Sequence, residues 1–372
     1  GGGGGAGTTL KMDVGGFIGF IDLQVNGYNG VSFSATDLTH ASCEAACSAI
    51  LKEGGCLAII PTVITSPLAT YEHVLPILAD VIEEGKGLEG RLLGIHLEGP
   101  FISPFKGAVG AHPASEVLSP FLHASKRNTG IELLERWQLL ARGHIKIITI
   151  AAEGDGASEL CEHAVNKMGI TVSLGHMMAN GSDISKLASA GATLLTHLGN
   201  GCPNELHRHK NHMWPALADD RLTAMLISDG QHLPREVLIT ALRCKGLQRT
   251  IITSDVAPVA GLPDGEHLCF GSVVHVEGRF VRSADRSCLA GSGALMLDCM
   301  NHLASLAITP QPGRVEPLTL SELLTMGFDN PLRAIGLEPA EVARRLAHIG
   351  PLVTFDGGCF RLKGEEYCDP CV

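Results

Sequence analysis

The fold class this sequence predicts is a closed (β/α)8 barrel, and three observations predict it. Near-continuous apolar runs alternate with amphipathic stretches along most of the 372 residues, giving about eight strand–helix units. The runs are apolar on both faces, as strands of a parallel sheet covered by helices must be. Polar residues end at least six of the runs, on both sides of the strand order, whereas an open sheet gathers its ligands at one switch point.

Taken in order, strands are expected at about 17–25, 56–64, 91–98, 145–152, 171–176, 193–198, 224–229 and 250–255. The stretches DLTHASCEAACSAILKEG and SDISKLASAG carry helical spacing and end in glycine, as helix C-termini often do. Asp37 and Asp183 are expected near the starts of these helices. After Asp255 the pattern changes. HLCFGSVVHVEGRFVRS reads as a hairpin around Glu277–Gly278, an insertion at about 266–284, and PLVTFDGGCFRLKG reads as another around Asp356–Gly358. GSGALMLDCMNHLASLAI and TLSELLT are expected to be helical. The expected division is a flexible Gly-rich leader at 1–16, a barrel at 17–340, and C-terminal strands of a small β-element at 341–372.

Composition narrows the function. With 45% hydrophobic and 18% charged residues, a large core is available and general disorder is excluded. Aromatics supply only 4%, so that core must be built from Val, Ile, Leu, Ala and Gly. A net charge of −11 without a Lys/Arg stripe argues against nucleic acid as partner. No apolar run is long enough to span a bilayer, and GGGGGAGTTLKMDVGG lacks the regions of a signal peptide. The 12 cysteines are scattered singly, as expected of a reduced, cytoplasmic protein. The one close pair, Cys368 and Cys371, lacks a second pair to complete a structural zinc site. Neither a G-x-G-x-x-G nor a G-x-x-x-x-G-K-[ST] motif is present to support a Rossmann or P-loop reading.

Four runs finish on residues able to hold a metal or move a proton: RLLGIHLEG near Glu98, TVSLGH on His176, TLLTHLGN with His197, and TIITSD on Asp255. Taken singly, each has an ordinary explanation, a capped strand end for Glu98 or a satisfied core histidine for His176 or His197. Their recurrence at matching strand ends points to one site. One carboxylate and two imidazoles suit Zn²⁺ with an open position for water. Asp255 is placed either to carry a proton or to cap the segment that follows.

FIDLQVNG, GIHLEGPFIS followed by GAHP, SLGH, THLGN, SDGQHL, SDVAPVAG, LAGS and NPLRAIGL occur in this order, over about residues 17–340. Together they resemble the N-acetylglucosamine-6-phosphate deacetylase family of the amidohydrolase superfamily. The resemblance implies a metal-dependent hydrolase that releases acetate from a small-molecule amino-sugar phosphate. It implies Glu98, His176 and His197 as metal ligands and Asp255 as general acid/base, with His112 polarising the acetyl oxygen. Many amidohydrolases place an H-x-H pair on the first strand. Here those positions are Gln24 and Asn26, so one divalent ion, Zn²⁺, is expected rather than two. Substrate contacts are implied for Asn200, Gly201, Arg208 and His232, with Ala111, Leu289, Ala290 and Gly291 adding to them. A homodimer is also implied.

Two features depart from the family pattern, a histidine-rich loop and the short stretch before the first barrel strand. NGCPNELHRHKNHMW crowds His207, His209 and His212 around Arg208, readable as an altered substrate loop, an extra metal site or a polar surface loop. His96 shares a strand face with Glu98, either supporting the site or packed in the core. Family members usually carry a strand-rich segment before the first barrel strand. With about sixteen residues there, half of them glycine, the small β-sandwich is expected to be incomplete, with unpaired edges. Two other functions fit the residues less well: an amidohydrolase acting on a different N-acyl amine or cyclic amide, and a non-catalytic sugar-phosphate-binding barrel. The intact Glu98, His176, His197 and Asp255 argue against the latter.

Overall fold

Eight apolar runs pair in chain order into one parallel sheet, as strands buried on both faces should. They are β1 (Phe20–Val25), β2 (Cys56–Ile64), β3 (Ile95–Glu98), β4 (Ile145–Ile150), β5 (Thr171–Leu174), β6 (Leu194–Leu195), β7 (Thr223–Leu226) and β8 (Thr250–Ile252). The computed structural model describes residues 19–122, 127–286, 289–307 and 316–364. The leader at 1–16 and the Cys368–Cys371 pair lie outside these ranges.

Helices alternate with the strands: α1 (His40–Glu53), α2 (Leu68–Glu84), α3 (Thr129–Leu140), α4 (Ala157–Met168), α5 (Gly181–Ser189), α6 (Met213–Ala218), α7 (Arg235–Lys245) and α8 (Met296–Ser305). Each lays one stripe on the barrel. In α4 the buried residues Ala157, Leu160, Cys161 and Ala164 follow the helical period. Both helix starts expected near Asp37 and Asp183 are present, but neither aspartate is the cap. Thr39 and Asn180 cap α1 and α5, and the Asp183 carboxylate returns a bond to the Asn180 N–H at 2.9 Å.

The barrel closes at its C-terminal rim. Asp255 N–H donates to the Gln24 carbonyl at 3.0 Å and Asn26 N–H to the Val256 carbonyl at 2.9 Å. A buried carboxylate reinforces the seam: Asp22 accepts from Thr253 Oγ1 at 2.6 Å, from Ser254 N–H at 3.2 Å and from Gln24 N–H at 3.3 Å. Five strands, β4 to β8, stop earlier than their apolar runs suggest, and three of them, β5, β6 and β8, do so just before a functional side chain. His176, His197 and Asp255 adopt φ of 48°, 26° and 51°, a left-handed turn that ends the ladder before the functional side chain.

Beyond β8 the chain builds a four-stranded antiparallel sheet from β9 (Gly265–Cys269), β10 (Ser272–Glu277), β11 (Phe280–Ser283) and β12 (Leu289–Ser292). Its inner face buries Cys269, Val274, Val276, Val281 and Ala290 against Ala257 and Val259. Ala257 N–H donates to the Ser292 carbonyl at 2.8 Å, so β12 runs beside the continuation of β8 and brings Leu289–Gly291 to the barrel mouth. A separate hairpin, β13 (Val353–Asp356) and β14 (Cys359–Leu362), packs Phe360 on Phe20 with ring centroids 5.0 Å apart, at the opposite end of β1 from the mouth. Among the described residues no helix is long and apolar enough to cross a membrane.

Removing the Asp22 carboxylate leaves a buried hydroxyl and buried N–H groups unpaired across the seam. Asp22→Ala should lower the unfolding free energy by about 3 kcal/mol, read from denaturant or thermal unfolding. A loss under about 1 kcal/mol would show that the seam does not depend on this carboxylate.

Candidate active site at the barrel mouth

Glu98 is the last residue of β3, His176 and His197 lie just past β5 and β6, and Asp255 lies just past β8. Their side chains meet. Glu98 Oε1 lies 2.8 Å from His197 Nε2 and 3.2 Å from His176 Nε2, and the two imidazole nitrogens are 3.0 Å apart. All three residues are at most 5% exposed. Gly110 and Gly201 close over the His176 ring. A Cβ at Gly201 would sit 2.9 Å from Nδ1, and one at Gly110 would sit 3.2 Å from Cε1. Gly201, expected at the substrate, also forms the wall against the His176 ring.

The hydrogen bonds around His176 leave one lone pair without a donor. His176 Nδ1 lies 2.8 Å from the Ala108 carbonyl, which can only accept, so Nδ1 carries the proton and Nε2 presents its lone pair. That lone pair faces the Glu98 carboxylate and His197 Nε2, with at most one proton to share among the three atoms. A cation seated between them removes the conflict. Ligands at 2.0–2.1 Å around a tetrahedral Zn²⁺ are about 3.3 Å apart, close to the separations found here. The donor set and its spacing fit a divalent metal.

His112 stands differently. Thr65 N–H donates to His112 Nδ1 at 3.3 Å, so in the neutral ring the proton is on Nε2, 3.6 Å from Glu98 Oε2. Burial, reinforced by His176, depresses its pKa to about 4 and keeps the ring neutral. Glu98, His112 and His176 together form a group of potential donors within 4.8 Å of one another. The direction of the Thr65 bond makes His112 a hydrogen-bond donor to the site, whereas His176 offers a lone pair.

The electrostatics separate the two carboxylates. Burial raises Glu98, but the three imidazoles around it, His112, His176 and His197, outweigh burial and hold it well below the usual range. Burial also lowers His197, yet the hydrogen bond and charge of Glu98 raise it above its ordinary value. Asp255 is pushed up to about 6, first by burial and then by the charge of Glu98. One acid is thus firmly ionised and its neighbour is poised to exchange protons near neutrality.

Gln24 and Asn26 account for the orientation of Asp255. Gln24 Nε2 donates to Asp255 Oδ1 at 2.9 Å and to Glu98 Oε1 at 2.8 Å, and Asn26 Nδ2 donates to the same Asp255 oxygen at 2.8 Å. Amide donors fill the space between the two carboxylates. The amide oxygens Gln24 Oε1 and Asn26 Oδ1 are buried and make no hydrogen bond.

The implied substrate residues divide into those at the mouth and those away from it. His232 Nδ1 lies 2.7 Å from Asp229 Oδ2, and Asp229 also accepts from the Gln231 and His232 N–H groups at 2.9 Å each. Leu289, Ala290 and Gly291 run beside Asp255, whose carbonyl accepts from Ser292 N–H at 3.3 Å. Asn200 N–H returns to the His197 carbonyl at 2.9 Å, and Asn200 and Gly201 line a small cavity with His176, Thr196 and His212. Ala111 is exposed beside the buried His112.

Arg208 does not join this group. It is exposed and lines a separate, mainly apolar groove of about 500 Å³ with Leu206, Trp214, Leu217 and Val237, and its carbonyl accepts from Trp214 Nε1 at 2.7 Å. The histidine-rich loop scatters its rings. His207 Nδ1 accepts from the His209 and Lys210 N–H groups, His209 is exposed, and His212 is buried against the small cavity. Among the described residues the group spaced to hold an ion is the one around Glu98, so these histidines do not build a second. His96 points into the barrel, with Nε2 at 2.8 Å from Thr149 Oγ1, and belongs to the core layer beneath the site. Sequence reasoning missed Asp22, Thr65, Ala108 and Asp229. Only Asp22 and Asp229 left a signal, as carboxylates within or just after apolar runs.

No family model matches the chain. It is 34% identical over 292 residues to an N-acetylglucosamine-6-phosphate deacetylase of Bacillus subtilis, spanning 77% of this chain and 68% of that protein. It is 32% identical over 330 residues to one of Bos taurus, spanning 86% and 77%. A crystal structure of N-acetyl-D-glucosamine-6-phosphate deacetylase from Mycobacterium smegmatis matches with a TM-score of 0.74 at 25% identity, over 90% of this chain and 84% of that one. Its barrel topology and its relatives agree: the chain belongs to the N-acetylglucosamine-6-phosphate deacetylase family.

Proposed function

We propose that this protein hydrolyses the N-acetyl amide of N-acetylglucosamine 6-phosphate, giving acetate and glucosamine 6-phosphate, with one Zn²⁺ held by Glu98, His176 and His197. The observation that carries the reading is Asp255, fixed through Oδ1 by Gln24 and Asn26 beside the Glu98–His176–His197 cluster. When bound, the ion would polarise the scissile carbonyl and make water more acidic.

The chain's own residues supply the rest. Asp255 takes a proton as water adds its oxygen to the acyl carbon. It returns that proton to the nitrogen as the C–N bond breaks, leaving a neutral amine and acetic acid that ionises to acetate. His112 Nε2–H donates to the acetyl oxygen as negative charge develops there. Because His232 donates its Nδ1–H to Asp229, its Nε2 is left with a lone pair to accept from a sugar hydroxyl. Asn200, Gly201, Ala111 and the Leu289–Gly291 strand supply the remaining contacts to the sugar phosphate.

Arg208, exposed and outside its own mouth, is accounted for by a homodimer in which it reaches the phosphate in the neighbouring site. The catalytic unit is the barrel within 17–340, followed by the C-terminal strands. Buried free thiols at Cys43, Cys47, Cys56, Cys161, Cys269 and Cys299 support a reducing, cytoplasmic setting.

Purified, Zn²⁺-loaded protein should release acetate from N-acetylglucosamine 6-phosphate and much less from the unphosphorylated sugar. No acetate from either, in a folded and loaded sample, would contradict the function. Asp255→Asn should keep its metal while kcat falls roughly 10²–10⁴-fold, and full turnover would refute the proton-carrying role. The ionised Asp255 is the working form, so kcat should fall as pH drops through about 6 or lower, since a bound cation depresses the pKa. A rate that rises on acidification would contradict this assignment.

A further inference from the structure

We infer that a hydrogen-bonded chain across the barrel interior, Ser173–Thr196–Thr149–His96, positions the strand ends that carry the metal ligands. The inference rests on the assignment of Glu98, His176 and His197 as those ligands. Barrel interiors are ordinarily filled by layers of branched aliphatic side chains. Immediately beneath this mouth the layer is polar instead. Ser173 Oγ lies 2.6 Å from Thr196 Oγ1, Thr196 Oγ1 lies 2.7 Å from Thr149 Oγ1, and Thr149 Oγ1 lies 2.8 Å from His96 Nε2. His96 Nδ1 completes the run at 3.3 Å from the Leu23 carbonyl. All four side chains are at most 2% exposed.

The order of protons follows from the far end. The Leu23 carbonyl can only accept, so His96 donates from Nδ1 and accepts at Nε2. Thr149 therefore donates to His96, Thr196 to Thr149, and Ser173 to Thr196. Every hydroxyl proton is committed, and each hydroxyl has one staggered position that satisfies the chain. A buried network with a single consistent direction fixes rotamers in a way an aliphatic layer does not.

Its location ties that rigidity to the site. His96 stands two residues before Glu98 on the same face of β3. Thr196 immediately precedes His197. Gly175 immediately precedes His176, and its backbone rests on the same side chains: a Cβ there would lie 2.7 Å from Thr196 Cβ and 3.2 Å from Thr149 Cγ2. All three ligands thus rise from backbone that carries or touches the network. Groups that orient metal ligands from behind are worth about 10–100-fold in metal affinity. A purely stabilising role predicts a different outcome: removing one hydroxyl leaves the Ser173 proton without its acceptor and lowers the melting temperature, while metal affinity in the folded protein stays unchanged.

The experiment is a Zn²⁺ competition titration of chelator-stripped protein against a chromophoric chelator, with thermal unfolding in parallel. Thr196→Val keeps the shape and removes the central hydroxyl, and Thr196→Ser keeps the hydroxyl. Thr196→Val should bind Zn²⁺ about 10–100-fold more weakly, and Thr196→Ser should stay within about threefold of the native protein. If Thr196→Val does not fold, Thr149→Val against Thr149→Ser decides in the same way. Native affinity in the folded valine variant, or equal weakening in the serine variant, would overturn the inference while leaving the metal site intact. A native protein that takes up no ion would overturn the ligand assignment and this inference with it.

Discussion

The structure at the barrel mouth depends on one buried oxygen, Glu98 Oε1. His176, His197 and Gln24 all direct a nitrogen at it from 2.8–3.2 Å, so three strand ends are drawn to a single point. Isolating a carboxylate from water is costly unless several donors surround it, and here they overcome the burial. The same arrangement leaves the His176 lone pair facing a negative charge. That conflict is the physical reason for assigning a cation to the site.

Closure of the barrel and construction of the site are one event. The hydrogen bonds joining β8 to β1 run from Asp255 N–H to Gln24 and from Asn26 N–H to Val256. The side chains of the same residues place the Asp255 carboxylate beside Glu98. His176, His197 and Asp255 turn off their strands in the left-handed region, a conformation costly for residues with a Cβ and held by the surrounding bonds. Strain of this kind gathers where a side chain must point along the barrel axis instead of across it.

Much of this was legible in the linear sequence, for a definite reason. Apolar runs reject charge, so Glu98, His176, His197 and Asp255 stood out at their ends, and eight such runs implied the barrel. Gln24 and Asn26 were informative as substitutes for histidine, but their bonds to Asp255 span more than two hundred residues and have no local signature. Whether His112 donates or ligates turns on one N–H from Thr65, 47 residues away, and that follows only from the folded geometry. Arg208 illustrates the opposite limit. Its motif position matched the family, while the loop conformation carried it to a different surface. The strand ends were placed too late because an apolar run does not register the φ at which its ladder stops.

We propose that Glu98, His176 and His197 share one ion while Gln24 and Asn26 exclude a second. Anomalous diffraction at the zinc edge from crystals of the loaded protein tests this most directly. One peak per chain is expected, within about 2.0–2.2 Å of Glu98 Oε1 or Oε2, His176 Nε2 and His197 Nε2. A second peak between Gln24 and Asp255, or a peak bonded to His112 in place of His197, would contradict it.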